Sequence, residues 1–265
     1  MDDPEKYRAC LGHMVDVMID RPLGSKHPKY KFVYQTNYGY VENTLAGDGH
    51  EIDAYVLGVS IPVTHFTGVC VAVILRSDDD EHKLVVASHA LSADEIDEQT
   101  QFVEHYYDTQ IETMDHTPQQ IFYALRPALL EDLGPMMAIG HEGLRPHIEQ
   151  VRGWDQAAEE QGFREHFEPD RIQIIQSSGE DIGYIKAIDQ SDHVYVDGIY
   201  ISNTRRSSGI GGRVLADLID RNRKVGKPVR LKVFTVNPAK RLYERLGFRV
   251  VEETVDSFIM ECAIQ

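Results

Sequence analysis

Asp197-Gly198-Ile199-Tyr200-Ile201-Ser202-Asn203-Thr204-Arg205-Arg206-Ser207-Ser208-Gly209-Ile210-Gly211-Gly212 is an alternating apolar strand that runs into a glycine-rich turn and opens a helix. Glycines reach backbone angles closed to other residues and let a phosphate come close to the main chain. The first free N–H groups of the following helix then point at the ligand. The helix follows from periodicity, since Ile210, Val214, Leu215, Leu218 and Ile219 fall on one face. From Arg205 to Arg249 there are 13 Lys or Arg against three acids, inside a chain of net charge −16. That asymmetry points to a polyanionic ligand for this segment. The plain alternative is a solvated helix face, and the adjacent glycine loop tips the balance.

Two phosphate loops are excluded by spacing. A dinucleotide fingerprint needs Gly or Ala at Val214, and no Gly-Lys-Ser/Thr follows for a nucleoside-triphosphate loop. The pattern that fits is Arg-x-x-Gly-x-Gly, Arg206 to Gly211. Downstream, Val229 to Phe234 alternates as a strand. The segment Thr235 to Phe248 reads as a short helix with Asn237 as N-cap, Pro238 at the first position and Gly247 past the end.

Together these blocks resemble the GNAT superfamily of acetyl-CoA-dependent N-acetyltransferases, whose corresponding segment reads Asn-x-x-Ala-x-x-Leu-Tyr-x-x-x-Gly-Phe. Here Ala239 follows Asn237 by two residues rather than three. The resemblance implies acetyl-CoA as cosubstrate. It implies backbone contacts from Ile199, Tyr200 and Ile201, a cofactor-binding loop of Arg206, Ser207, Ser208, Gly209, Ile210, Gly211 and Gly212, and a pantetheine contact at Asn237. It also makes Tyr243 the acid that protonates the leaving thiolate; the alternative for Tyr243 is a core aromatic beside Ala239, Leu242 and Leu246. For a general base, Asp197, Glu142 and Glu149 are candidates and none stands out. Ile121 to Ala128 and Leu130 to Leu133 look like the opening strand and helix of such a domain. Arg171–Gln176 and Ile182–Ala187 are expected as strands around the turn Ser177–Glu180. The region from Pro146 to Phe167 is expected to be helical and to shape the acceptor pocket.

The first part of the chain is a different object. Residues 1–117 hold 8 basic and 21 acidic residues. Short apolar runs at Val15–Pro22, Val33–Tyr34, Tyr55–Gly58, Val69–Ile74 and Leu84–Ala87, parted by Gly, Pro and Asp turns, argue for a β-barrel or sandwich. A helical period between Asp94 and Tyr107 adds one closing helix. Asp48-Gly49-His50-Glu51-Ile52-Asp53 and Asp78-Asp79-Asp80-Glu81 place carboxylates on two loops, a pattern that suits hard divalent cations.

With Asn37-Tyr38-Gly39-Tyr40 and Phe102 to Asp108, this region resembles the family I inorganic pyrophosphatases. The resemblance puts Asp20, Lys29, Tyr38, Asp48, Asp53, Lys83 and Tyr106 at active-site positions, with Asp48, Asp53 and Glu81 as magnesium ligands if the domain is active. Where the family has Asp-Gly-Asp-Pro-x-Asp, this chain has His50 and Glu51; Glu81 replaces an Asp, and Tyr107 stands where a phosphate-binding Lys is usual. The expectation is a degenerate domain used for regulation, binding or dimerisation.

The expected architecture is therefore two domains: residues 1–110 a mainly-β, pyrophosphatase-like barrel with a closing helix, a linker at 111–118, and residues 119–265 an α/β GNAT fold with a central mixed sheet. The expected activity is acetyl transfer to a primary amine of a small molecule or peptide. Its alternatives are a magnesium-dependent phosphoanhydride hydrolase with an acyl-CoA-sensing GNAT domain, and a binding protein with both sites inert. Three separated cysteines, Cys10, Cys70 and Cys262, fit a reduced cytoplasmic protein. No apolar run approaches 18 residues and the N-terminus is acidic, so no membrane segment or signal peptide is expected. The overall acidity argues against nucleic acid as a partner, homo-oligomer formation is left open, and the 12 histidines read as ordinary surface or core residues.

Overall fold

A computed structural model describes residues 2–115 and 121–264. They form two compact units, one of residues 1–127 with 176–181, the other of residues 128–175 with 182–265. Residues 116–120, which take in the end of the expected linker and the first two residues of the expected GNAT domain, lie outside the described residues.

In the first unit, helix α1 (Pro4–Arg8) precedes strands β1 (Met14–Arg21), β2 (Asn37–Val41), β3 (Ile52–Val56), β4 (His65–Arg76) and β5 (Lys83–Ala87). Their order is β1-β2-β3-β5-β4, and β4 pairs back onto β1 from Met18↔His65 to Met14↔Val69, which closes a five-stranded barrel. Side chains alternate between two apolar clusters, as the two-residue strand period requires. Ala54, Val56, Leu84 and Val86 lie in one, while Tyr55, Leu57, Val85 and Ala87 lie in the other. Helix α2 (Ala93–Glu104) starts at a capping box of Ser92 and Glu95 and buries Ile96 in the second cluster, a contribution of about 2 kcal/mol.

Two segments differ from expectation. Thr109–Thr113, which overlaps the expected linker at 111–118, is strand β6, paired with the far half of β4 from Ala72↔Thr113 to Arg76↔Thr109. The twelve-residue β4 outruns β1, and the edge it leaves open takes a strand of weak apolar pattern. Val33–Tyr34 makes only an isolated bridge, Lys26↔Val33. Strand β7 (Ala124–Pro127) groups with the first unit, pairing Leu125 with Thr67 of β4.

The second unit carries α3 (Leu133–Arg152), α4 (Gln156–Glu165), β8 (Ile172–Ser177), β9 (Glu180–Asp189), β10 (Val194–Ile201), α5 (Ile210–Lys224), β11 (Val229–Phe234), α6 (Lys240–Arg245), β12 (Arg249–Glu253) and β13 (Ser257–Cys262). The tip between β8 and β9 turns through left-handed Ser178 and Gly179 and falls in the first unit. The sheet is mixed: β9 and β10 are antiparallel, β10 and β11 parallel, and β13 lies antiparallel between β11 and β12. Helix α3 runs through Pro146 rather than stopping before it. On its inner face Gly140 and Gly143 admit two tyrosines, since a Cβ there would sit 2.4 Å from the Tyr184 hydroxyl and 3.0 Å from the Tyr200 ring.

Candidate active site

The site begins where two strands part. β10 pairs with β11 only from Val194↔Val229 to Val196↔Leu231, although it stays paired with β9 as far as Ile201↔Gly183. A bulge between Val196 and Gly198 turns β10 at the point of divergence, as bulges do when they bend a strand and end pairing. From Asp197 onward the edge of β10 towards β11 has no partner strand among the described residues. The two faces of this free segment are divided between helices: a Cβ on Gly211 of α5 would meet Ile201 and Ile199, while Tyr200 lies towards Gly143 of α3.

At the end of β10 the chain makes one 3-10 turn, Asn203–Arg205, passes through Ser207 at φ 63° and Gly209 at φ 84°, and enters α5. Gly209 is the N-cap and offers no side chain to cap the helix. Arg213 N–H is bonded to Gly209 O, so the N–H groups before it face outward as an anion site. Across the gap, Asn237 Oδ1 accepts the Ala239 N–H at 2.9 Å, and α6 follows at Lys240–Arg245. The α-helix is shorter than the sequence suggests because its first turn, from Asn237, is bonded in the tighter 3-10 manner. Gly247 takes φ 93° beyond its end.

One cleft of about 930 Å³ brings together Ile199, Tyr200, Ile201, Arg206, Ser207, Ser208, Gly209, Ile210, Gly211, Gly212, Asn237 and Tyr243. Tyr243 stacks edge-on against Phe248, with ring centroids 5.9 Å apart, and burial raises its hydroxyl above the usual phenol range. A tyrosine so placed stays protonated at neutral pH and is able to donate.

Of the three carboxylate candidates, Asp197 lines this cleft, while Glu142 and Glu149 are not among its lining residues. Glu142 accepts the Asn203 N–H at 3.1 Å, Glu149 pairs with Arg145 at 2.7 Å, and Asp197 pairs with Lys186 at 3.3 Å. Two α3 residues that motif reading passed over, Leu144 and His147, do line it. His147 Nδ1 is buried with no hydrogen-bond partner, and burial, then the charge of Arg206, hold its imidazole below the ordinary histidine range. A single histidine in a polar stretch carries no spacing signal; only the face it shares with Gly143 marks it.

At the barrel, Asp53 accepts from Tyr38 at 2.5 Å and from Lys83 at 2.7 Å, and Lys83 also contacts Glu81. Glu81 is raised by burial, while Asp48 is lowered by its hydrogen bond with Glu81. Beside them Arg76 reaches Glu104 at 2.7 and 2.9 Å and Asp79 at 2.9 Å, with its guanidinium 3.6 Å from the Tyr107 ring centre. Asp20 pairs with Arg21 at 2.7 Å. Lys29 and Tyr106 stand exposed at the surface, and no ion pair joins either to this cluster among the described residues.

Residues 144–257 match the family model of the acetyltransferase (GNAT) domain, and residues 16–119 match that of inorganic pyrophosphatase. The chain joins a pyrophosphatase-like domain to a GNAT domain. No curated protein matches it. Among solved structures it is similar to the PaiA N-acetyltransferase of Thermoplasma acidophilum in complex with coenzyme A, at 18% identity and TM-score 0.46 over 54% of this chain and 99% of that one. It is also similar to the ribosomal-protein-S18-alanine N-acetyltransferase of Escherichia coli, at 23% and 0.40 over 54% and 95%. A third likeness is to Ard1 of Thermoplasma volcanium, at 18% and 0.41 over 54% and 98%.

In the pyrophosphatase-like domain the donor set does not fit magnesium as it stands. Asp53 and Glu81 share the Lys83 ammonium, Asp48 is tied to Glu81, and no group of three His, Cys, Asp or Glu among the described residues is arranged to hold a metal. No described helix is long and apolar enough to cross a membrane.

Proposed function

We propose that the GNAT domain transfers the acetyl group of acetyl-CoA to a primary amine of a small molecule or peptide. The observation that carries this reading is the parting of β10 from β11 after Val196, with the Gly209-capped start of α5 at one end of the gap and Tyr243 on its far side. The diphosphate lies on the N–H groups of α5, and the arm runs along the free edge of β10 past Asn237. The thioester carbonyl takes a hydrogen bond from a β10 backbone N–H between Ile199 and Ile201. The neutral amine adds to that carbonyl, the C–S bond breaks as the amide forms, and Tyr243 gives its proton to the departing thiolate. The proton shed by the amine leaves to water.

The pyrophosphatase-like domain is assigned an accessory, non-hydrolytic role, and the chain a cytoplasmic place with neither nucleic acid nor membrane as partner. The supporting feature is that its candidate ligands are already bound to one another and to Lys83. Mass-spectrometric screening of polyamines, amino acids, aminoglycosides and peptide N-termini for acetylated products tests the transferase. Absence of both product and coenzyme A binding overturns it. Magnesium-dependent phosphate release from pyrophosphate at roughly 1 to 10³ per second overturns the accessory role.

A further inference from the structure

Where β10 and β11 part, the two lips of the gap carry opposite charges. The last rung is Val196↔Leu231, so the next residue on one strand is Asp197 and on the other Lys232. Val196 and Leu231 are buried, and strand alternation turns the residues after them to the opposite face. There both are exposed, and both line the cleft.

Asp197 is the one carboxylate among the described lining residues. It holds Lys186 at 3.3 Å, but that ammonium is divided with Glu168 at 3.2 Å and the His166 carbonyl at 3.3 Å. Two carboxylates thus share one cation, and the Asp197 side chain stays 47% exposed. Burial, then the charge of Asp197, raise the hydroxyls of Tyr195 and Tyr200, two more lining residues. A negative lip with aromatic rings beside it suits an ammonium group. On the facing lip, Arg230 is taken by Glu261 at 2.6 Å, whereas Lys232 has no ion pair among the described residues. Asp256, which accepts from Ser257 at 2.7 Å, feels the Lys232 charge without pairing with it.

The geometry points to an acceptor subsite in which Asp197 takes an ammonium and Lys232 a carboxylate, so that the acceptor is a diamino acid whose side-chain amine reacts. This rests on the acetyltransferase reading. The N–H that polarises the thioester there lies at Ile199 to Ile201, two or more residues along β10 and so about 7 Å or more from Asp197. The nitrogen held by Asp197 is therefore not the one acetylated. Asp197 and Lys232 exchange no proton in the transfer; they select the acceptor and position it.

Steady-state acetylation of lysine, cadaverine and ε-aminocaproate by the full chain tests the subsite. The three present the same amine on the same alkyl chain, but cadaverine lacks the carboxylate and ε-aminocaproate the second ammonium. Wild-type kcat/KM for lysine should exceed both by about tenfold or more, the scale of a charge-assisted hydrogen bond. Asp197→Asn should lower lysine and cadaverine about tenfold and spare ε-aminocaproate, while Lys232→Met should lower lysine and ε-aminocaproate and spare cadaverine. Coenzyme A titration of each variant checks that the cofactor site is intact, with Asp197→Ser and Lys232→Gln in reserve should either fail to fold. Lysine no better than its two analogues, a variant that affects all three alike, or coenzyme A binding with acetylation of none of them overturns the subsite and leaves the transferase reading standing. Failure of the wild-type chain to bind coenzyme A or to acetylate any amine removes that reading itself, and the subsite with it.

Discussion

Gly209 is where the cofactor loop is most exposed to a single change. It caps α5 at φ 84°, a conformation that costs an L-residue about 1–2 kcal/mol. Gly211, two residues on, has no positive φ, and a Cβ there would lie 3.5 Å from Ile201 and 4.0 Å from Ile199, ordinary contact distances. The two glycines of the motif therefore answer differently to the same methyl group. Gly209→Ala either keeps the loop and loses about 1–2 kcal/mol of stability, or relaxes it and turns the first N–H groups of α5 away from the ligand. In the second case coenzyme A affinity falls by tenfold or more, about 1.4 kcal/mol. Gly211→Ala gains helix propensity and changes stability by less than about 1 kcal/mol. Urea unfolding and coenzyme A titration of both variants read these numbers directly. If Gly209→Ala leaves both stability and affinity at the wild-type level, or Gly211→Ala is the more damaging, the account of the anion site is wrong.

Tyr243→Phe keeps the contact with Phe248 but removes the donor, so turnover should fall by about 10²-fold, the low end for general acid catalysis, with coenzyme A affinity held; unchanged turnover returns the residue to a packing role. Glu104→Gln strips the carboxylate from Arg76, whose side chains are 2% and 3% exposed, and should cost about 3 kcal/mol in chemical denaturation. Adding Arg76→Met should recover part of that loss, and no recovery would show that the pair is held by something other than charge. His82 Nδ1 accepts the Arg76 N–H at 3.1 Å while its Nε2 is buried without a partner, and burial lowers its pKa, as it does for His147. Both are held neutral in the fold, so stability present above the unfolded value of about 6.5 is lost as pH falls through the native values. Urea midpoints between pH 7.5 and 5.5 should decline, and His82→Asn should flatten the slope.

Short-range physics is what made this chain legible. The motif from Arg206 to Gly212 and the run Val229 to Phe234 carry their conformation in their own residues: glycines that alone tolerate left-handed angles, β-branched alternation, and Asn237 and Gly247 at the two ends of α6. The same holds for β5 and for α2, whose capping box and single apolar stripe are local signals. Tertiary structure decided the rest. Thr109–Thr113 became a strand only because the length of β4 left it an open edge to bond, which no property of those five residues announces. The Lys83–Asp53 contact follows from β3 lying beside β5, and the Arg76–Glu104 contact from α2 bringing its last residue to the end of β4, which puts residues 30 and 28 positions apart within hydrogen-bonding reach. His147 is the clearest case. Its wall in the cleft depends on Gly143 letting α3 close on Tyr200 and on a loop 59 residues away whose Arg206 lines the same cleft. Burial and field are sums over the packed neighbours of an atom, and a sequence records the neighbours of a residue only along the chain.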